Sequence, residues 1–187
     1  MKSLYLKSYT LLLALVAVFT LVSCSDDDPE AIVEEEIITS IEITLTPGEL
    51  PGAQTITLES RDLDGDGPNA PVVEVSGPLA ANTVYTGSIR LLNELESPVE
   101  DMTIEIEELD EEHQLFYVLA GANATVAYTD SDSDGNPVGL AFTLTTGSAS
   151  SGTLTVILRH EPKKPNTGAA DAGGETDIEQ SFSIVIQ

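Results

Sequence analysis

From position 37 onward, the apolar residues of this chain recur at every second position. Ile37, Thr39, Ile41, Ile43 and Leu45 alternate with Ile38, Ser40, Glu42 and Thr44. A period of two is the mark of a strand with one face buried, because successive side chains of extended backbone point to opposite sides. Pro47-Gly48 and Pro51-Gly52 end the run. Further β-branched or aromatic-rich runs follow at 55–59, 72–75, 83–92, 114–119, 125–128, 139–146, 153–159 and 180–186, separated by Gly, Asn, Asp or Ser clusters. In the 83–92 run, Val84, Thr86, Ser88 and Arg90 share one face, and Tyr85, Gly87, Ile89 and Leu91 the other. About nine short strands with turn signals between them predict an all-β fold, a single antiparallel β-sandwich of immunoglobulin type.

One segment breaks the pattern. Ser97-Pro98-Val99-Glu100 has an N-cap serine, a proline at the first helical position and a glutamate three residues after the cap. Val99, Met102, Ile106 and Leu109 follow at helical spacing, while 103–107 alternates like a strand. The expectation is one short helix over about 98–108. Residues 161–177, with Pro162, Pro165 and the glycines Gly168, Gly173 and Gly174, form a long irregular connection of the kind that is usually functional.

Ahead of the strands lies a different sort of sequence. Lys2 and Lys7 precede the apolar run Leu11-Leu12-Leu13-Ala14-Leu15-Val16-Ala17-Val18-Phe19, and Leu21-Val22-Ser23-Cys24 closes it. A basic start, a short apolar middle and small residues before a break make a secretory signal. Leu-Val-Ser-Cys resembles the lipobox of bacterial lipoproteins. That resemblance implies cleavage before Cys24, a diacylglycerol on its thiol and lasting attachment to a membrane through the acyl chains. Cys24 is the one cysteine of the chain. Ser25-Asp26-Asp27-Asp28 looks like the acidic export tag of Bacteroidota surface lipoproteins, which implies the outer membrane and the cell surface; a plain solvated tether is the other reading. The expected division is a signal peptide at 1–23, an acylated cysteine with an acidic tether at 24–36 and a sandwich at 37–187.

All thirty-two acidic residues follow the leader, and of the seven Lys/Arg two (Lys2 and Lys7) precede Cys24, so five cations remain and the mature net charge is −27. Such a balance opposes nucleic acid, whose binding relies on Lys and Arg neutralising phosphates. Cations are the natural small partners. With no cysteine beyond Cys24, the sandwich has no disulfide and no thiolate ligand.

Several further stretches, taken with the lipobox, resemble a family of small flavobacterial surface lipoproteins commonly labelled "type 1 periplasmic binding fold". They are Glu34-Glu35-Glu36-Ile37-Ile38-Thr39, Asp62-Leu63-Asp64-Gly65-Asp66-Gly67, Glu112-His113-Gln114, Leu158-Arg159-His160-Glu161-Pro162 and Asp171-Ala172-Gly173-Gly174-Glu175-Thr176-Asp177. The label denotes two α/β lobes with parallel sheets; the strand pattern read by itself predicts antiparallel sheets without intervening helices.

Three groups of residues could carry chemistry. Asp130, Asp132, Asp134 and Asn136 with Gly135 match the opening of a calcium loop, and so do Asp62, Asp64 and Asp66 with Gly67. Both stretches lack the closing glutamate, since Ala141 and Val73 stand at the twelfth positions, and Asp-Gly hairpin turns explain them equally well. His113 and His160, the two histidines, adjoin Glu112 and Glu161. His160 keeps the parity of Leu154, Val156 and Leu158, so two neighbouring strands could bring both imidazoles to one rim with a carboxylate, a set suited to zinc, copper or iron. Two hydrogen-bonded histidines at strand ends are the alternative. Arg159, Lys163 and Lys164 could clamp an anion or relieve local repulsion.

No nucleotide-binding glycine turn, serine elbow or helical zinc-protease motif is present. The expected function is a non-catalytic surface lipoprotein that captures a small ligand or a metal for a TonB-dependent outer-membrane transporter. The rival is an adhesive or structural envelope module that binds calcium.

Overall fold

The computed structural model describes residues 36–48, 52–65 and 67–187. The leader, Cys24 and the acidic run Ser25, Asp26, Asp27 and Asp28 lie outside the described residues, as does Asp66. Residues Glu35–Gln187 form a compact unit of their own. Among the described residues, no helix is long and apolar enough to cross a membrane.

In chain order the elements are β1 (Ser40–Pro47), β2 (Ile56–Arg61), β3 (Val72–Val75), β4 (Val84–Asn93), β5 (Glu100–Asp101), α1 (Met102–Glu108), β6 (His113–Ala120), β7 (Ala124–Tyr128), β8 (Ala141–Thr146), β9 (Ser150–His160), α2 (Ala169–Ala172) and β10 (Glu175–Ile186). One sheet runs β3-β2-β1-β4-β8-β7, with β5 on β4, and the other runs β10-β9-β6. Among the described residues, every strand pair is antiparallel. The expected all-β sandwich is what forms.

The connectivity carries the immunoglobulin pattern as well. Taking β1, β4, β8 and β7 as strands A, B, E and D, and β6, β9 and β10 as C, F and G, the two sheets read ABED and CFG. The pair β2–β3 is an added hairpin between A and B. Just before β4, Leu79 bridges Ile186 in parallel, and its N–H donates to the Val185 carbonyl at 2.8 Å. This contact ties the start of B to the end of G across the sheets.

The alternation read from the sequence faces the core. Ile41, Ile43 and Leu45 of β1 and Tyr85, Ile89 and Leu91 of β4 are buried against Leu154, Val156 and Leu158 of β9 and Phe182, Ile184 and Ile186 of β10. Each such side chain contributes about 1.5–3 kcal/mol of transfer free energy. Gly87 lies opposite Phe142 in register, and the bare α-carbon leaves room for the ring; a Cβ there would overlap it. Ile37, placed on the inward face by parity, is exposed, because β1 begins only at Ser40.

The helix is shorter than expected and starts elsewhere. Asp101, not Ser97, caps α1: its side chain accepts from the Thr103 N–H at 3.2 Å. Pairing of Glu100 and Asp101 with β4 holds the preceding residues extended, so the helix cannot begin at Pro98. Met102 and Ile106 face the core, while Val99 and Leu109 are exposed.

The long connection after β9 is built on the outer face of the β10-β9-β6 sheet. Ala172 packs on Phe116 and Ile157 in a small second core, and the Lys163 N–H donates to the Ala172 carbonyl at 2.7 Å.

Candidate metal centre

The two histidines stand where two neighbouring strands meet the end of the sandwich. β6 begins at His113 and β9 ends at His160, and the antiparallel register sets these residues directly opposite each other, one step beyond the core pair Leu115 and Leu158. Both imidazoles therefore continue the inward face. Their rings stack with centroids 4.8 Å apart and planes 22° from parallel.

Glu36 enters from the other sheet's side of the chain, four residues ahead of β1. The segment between them is anchored by Thr39, whose N–H and hydroxyl both donate to the Leu92 carbonyl, at 2.9 and 3.1 Å. Glu36 Oε1 then lies 2.8 Å from His113 Nε2. The other ring nitrogen, Nδ1, is 3.0 Å from the Leu109 carbonyl just past α1. A carbonyl can only accept, so Nδ1 carries a proton. An ionised Glu36 can also only accept, so in the metal-free pair Nε2 carries one too.

The electrostatics agree with an imidazolium–carboxylate pair. The hydrogen bond to His113 holds the Glu36 carboxyl below its usual range, with burial opposing and the charges of both histidines assisting. Burial would lower the His113 pKa, but the bonds to Glu36 and Leu109, with the charges of Glu36 and Asp177, outweigh it and raise the value. A His whose Nδ1–H is fixed on a backbone carbonyl presents Nε2 outward, which is the usual posture of a metal-ligating imidazole.

One ligand atom each from Glu36, His113 and His160 lie within 4.8 Å of one another. Zinc bonds of about 2.0–2.1 Å set tetrahedral edges of about 3.4 Å, so the three ligand atoms stand at most about 1.4 Å wider apart than an ion would hold them. Among the described residues, two carboxylate oxygens at this rim are buried without a hydrogen-bond partner, Glu36 Oε2 and Asp177 Oδ2. Such atoms are uncommon and each costs about 1–3 kcal/mol. Asp177 sits at a bulge of β10, where the register against β9 slips between Thr176 and Ile178. Burial first, and then the charge of Glu36, push its carboxyl up to about 6, with the histidines pulling the other way. A buried ion pair by itself accounts for Glu36 Oε1 and His113; it leaves the two orphan oxygens unexplained.

The carboxylates expected at this rim are thus replaced by others. Glu112 reaches only to 4.0 Å from His160 Nε2 and is largely exposed, and Glu161 is exposed, turned outward by a left-handed backbone (φ 48°) just past the strand. Glu36, assigned to the tether, and Asp177, assigned to the long connection, take their place. Only the pairing of β9 with β10, and the path of the chain into β1, bring these two near the histidines.

The Asp-rich stretches are built as turns. Asp130 accepts the N–H groups of Gly139 and Ala141, one on each oxygen at 2.9 Å. Asp132 Oδ1 accepts from the N–H groups of Asp134 at 3.1 Å and Asn136 at 2.7 Å, while Oδ2 takes the Lys164 ammonium at 3.2 Å. The Asn136 amide donates to both Asp132 oxygens, and Asp134 is exposed. These oxygens are committed to the fold instead of converging on an ion. In the second stretch, Asp64 accepts from the Asn69 amide at 2.6 Å, and Asp62 keeps one buried oxygen unpaired. Of the three clustered cations, Lys164 is spent on Asp132 and on the Asp110 carbonyl at 2.5 Å, Lys163 is exposed, and Arg159 holds a buried Nε without a partner.

No protein-family model, curated protein or solved structure matches this chain.

Proposed function

We propose that this chain is a lipid-anchored, non-catalytic envelope protein whose sandwich captures a transition-metal ion, zinc foremost, at the rim formed by His113, His160 and Glu36. The observation that carries this reading is the approach of one ligand atom from each of these three residues to within 4.8 Å, beside buried carboxylate oxygens that have no donor. Two imidazoles select a borderline ion over calcium or magnesium, and the strong negative charge of the mature chain draws cations in. The lipobox ending at Cys24 and the acidic run Asp26–Asp28 support an outer-membrane anchor with the domain outside the cell, as in the flavobacterial lipoproteins it resembles. An accessory role beside a TonB-dependent transporter is proposed by likeness to Bacteroidota surface lipoproteins as a class. The calcium-binding adhesive alternative has less support, because Asp130 and Asp132 already bond to backbone and lysine.

Calorimetric titration of the chain from Ser25 onward with zinc tests the reading. Saturable binding of one ion, lost on His160→Ala, is expected; His160 is partly exposed and free of the buried pair, so its removal should leave the fold intact. Zinc binding that survives replacement of both histidines would refute it in favour of diffuse carboxylate association. In cells, Cys24→Ala should move the protein out of the membrane fraction.

A further inference from the structure

We propose that Asp177 is the fourth ligand of this centre, closing it into a two-imidazole, two-carboxylate site that holds a divalent ion on all sides. The proposal rests on the metal-binding reading above and specifies how the ion is enclosed. Its footing is the bulge in β10. An extra residue on one strand of an antiparallel pair kinks that strand and re-aims a side chain. Here the slip falls between Thr176 and Ile178, right where β10 passes the end of β9, with Glu175 opposite His160. Ile178 resumes the inward parity opposite Leu158, so the extra residue at the rim is Asp177. Among the described residues, its Oδ2 is buried without a donor, as is Oε2 of Glu36.

Asp177 stands outside the three-atom cluster but within electrostatic reach of all three of its members, and its own charge acts in turn on His113. Two carboxylates that repel each other over a pair of imidazoles, each with an unmatched oxygen, have a common remedy in one divalent cation. Ligands then arrive from four separate places: the segment before β1, the start of β6, the end of β9 and the bulge of β10. The donor set also names the ion. It has no sulfur, so it does not favour copper(I), and its imidazoles turn it away from calcium and magnesium. Four protein ligands around zinc make a closed, tetrahedral site, whereas zinc enzymes keep one position open for water. The centre therefore retains an ion and does not activate a substrate.

Cobalt(II) reads the coordination directly, since its visible bands are intense in four-coordinate sites and weak in six-coordinate ones. The chain from Ser25 onward, which carries the whole compact unit, is titrated with cobalt and zinc alone, as wild type, Asp177→Asn and Asp177→Ala. Wild type should give an intense four-coordinate spectrum. Both variants should stay folded by circular dichroism, lose about tenfold or more in zinc affinity, and give weaker cobalt bands as water replaces the carboxylate. Wild-type affinity and an unchanged spectrum in both variants would overturn the fourth-ligand assignment while leaving the three-residue centre standing. Failure of the wild type to bind either ion saturably would remove the metal reading itself, and this proposal with it.

Discussion

Asp132 is the place where the structure makes its sharpest energetic claim against a motif. Its carboxylate holds the turn through the N–H groups of Asp134 and Asn136, and through Lys164 it ties that turn to the connection after β9. The side chains of Asp132 and Lys164 are 1% and 7% exposed. Asp132→Ala removes a charge-assisted bond, worth about 1.5–3 kcal/mol, and two turn bonds of about 1 kcal/mol each. Lys164 keeps the Asp110 carbonyl, which limits the cost of the stranded ammonium. The expected loss is about 3.5–5 kcal/mol, a fall of roughly 7–20 °C in melting temperature for a domain of this size. Urea unfolding of the chain from Ser25 onward, in chelator at pH 7, measures it, and a double-mutant cycle with Lys164→Met should recover about 1–2 kcal/mol of coupling. Asn136 and Lys164 outweigh burial and hold the Asp132 pKa below 3.8. A depressed carboxylate stabilises above its unfolded pKa and loses that contribution as pH falls through the folded value, so the mutant and wild type should converge in strong acid. A loss under about 1 kcal/mol would overturn the structural role of Asp132. So would a calcium-dependent gain in wild-type stability that Asp132→Ala abolishes, since the carboxylates would then be serving an ion.

Two other outcomes follow from the packing. The metal-free Glu36–His113 pair has a lowered carboxyl and a raised imidazole. The glutamate's contribution is present above its unfolded value of 4.5 and lost as pH falls through the folded one; the histidine's is complete below 6.5 and lost as pH rises through its folded value. In chelator, the stability difference between wild type and His113→Gln should therefore be greatest between these two values, and a difference independent of pH from 3 to 9 would argue against the ion pair. Gly87→Ala should cost about 1–3 kcal/mol in urea unfolding, since its Cβ would overlap the buried Phe142 ring; a neutral result would mean that the ring has room to move.

Most of the fold was legible because a half-buried strand writes its burial into local sequence. The inward faces of β1 and β4 were readable residue by residue, as alternation has one physical cause. The start of α1 was not, because Ser97-Pro98-Val99-Glu100 satisfies every local rule for a helix and is overridden by the pairing of Glu100 and Asp101 with β4, a contact with a strand that the segment does not encode. The same division runs through the rim. Parity along β9 pointed His160 inward, and its meeting with His113 needed only that β6 and β9 be neighbours. The acidic partners were misassigned to Glu112 and Glu161 because adjacency in sequence is a poor guide at a strand end, where the backbone turns and neighbouring side chains part. Sequence alone determined most of the strands and the inward faces of β1 and β4, whereas the meeting of the two imidazoles required the pairing of β6 with β9. Glu36 and Asp177 became their neighbours only through sheet pairing and a one-residue slip in β10, long-range contacts that no local pattern records.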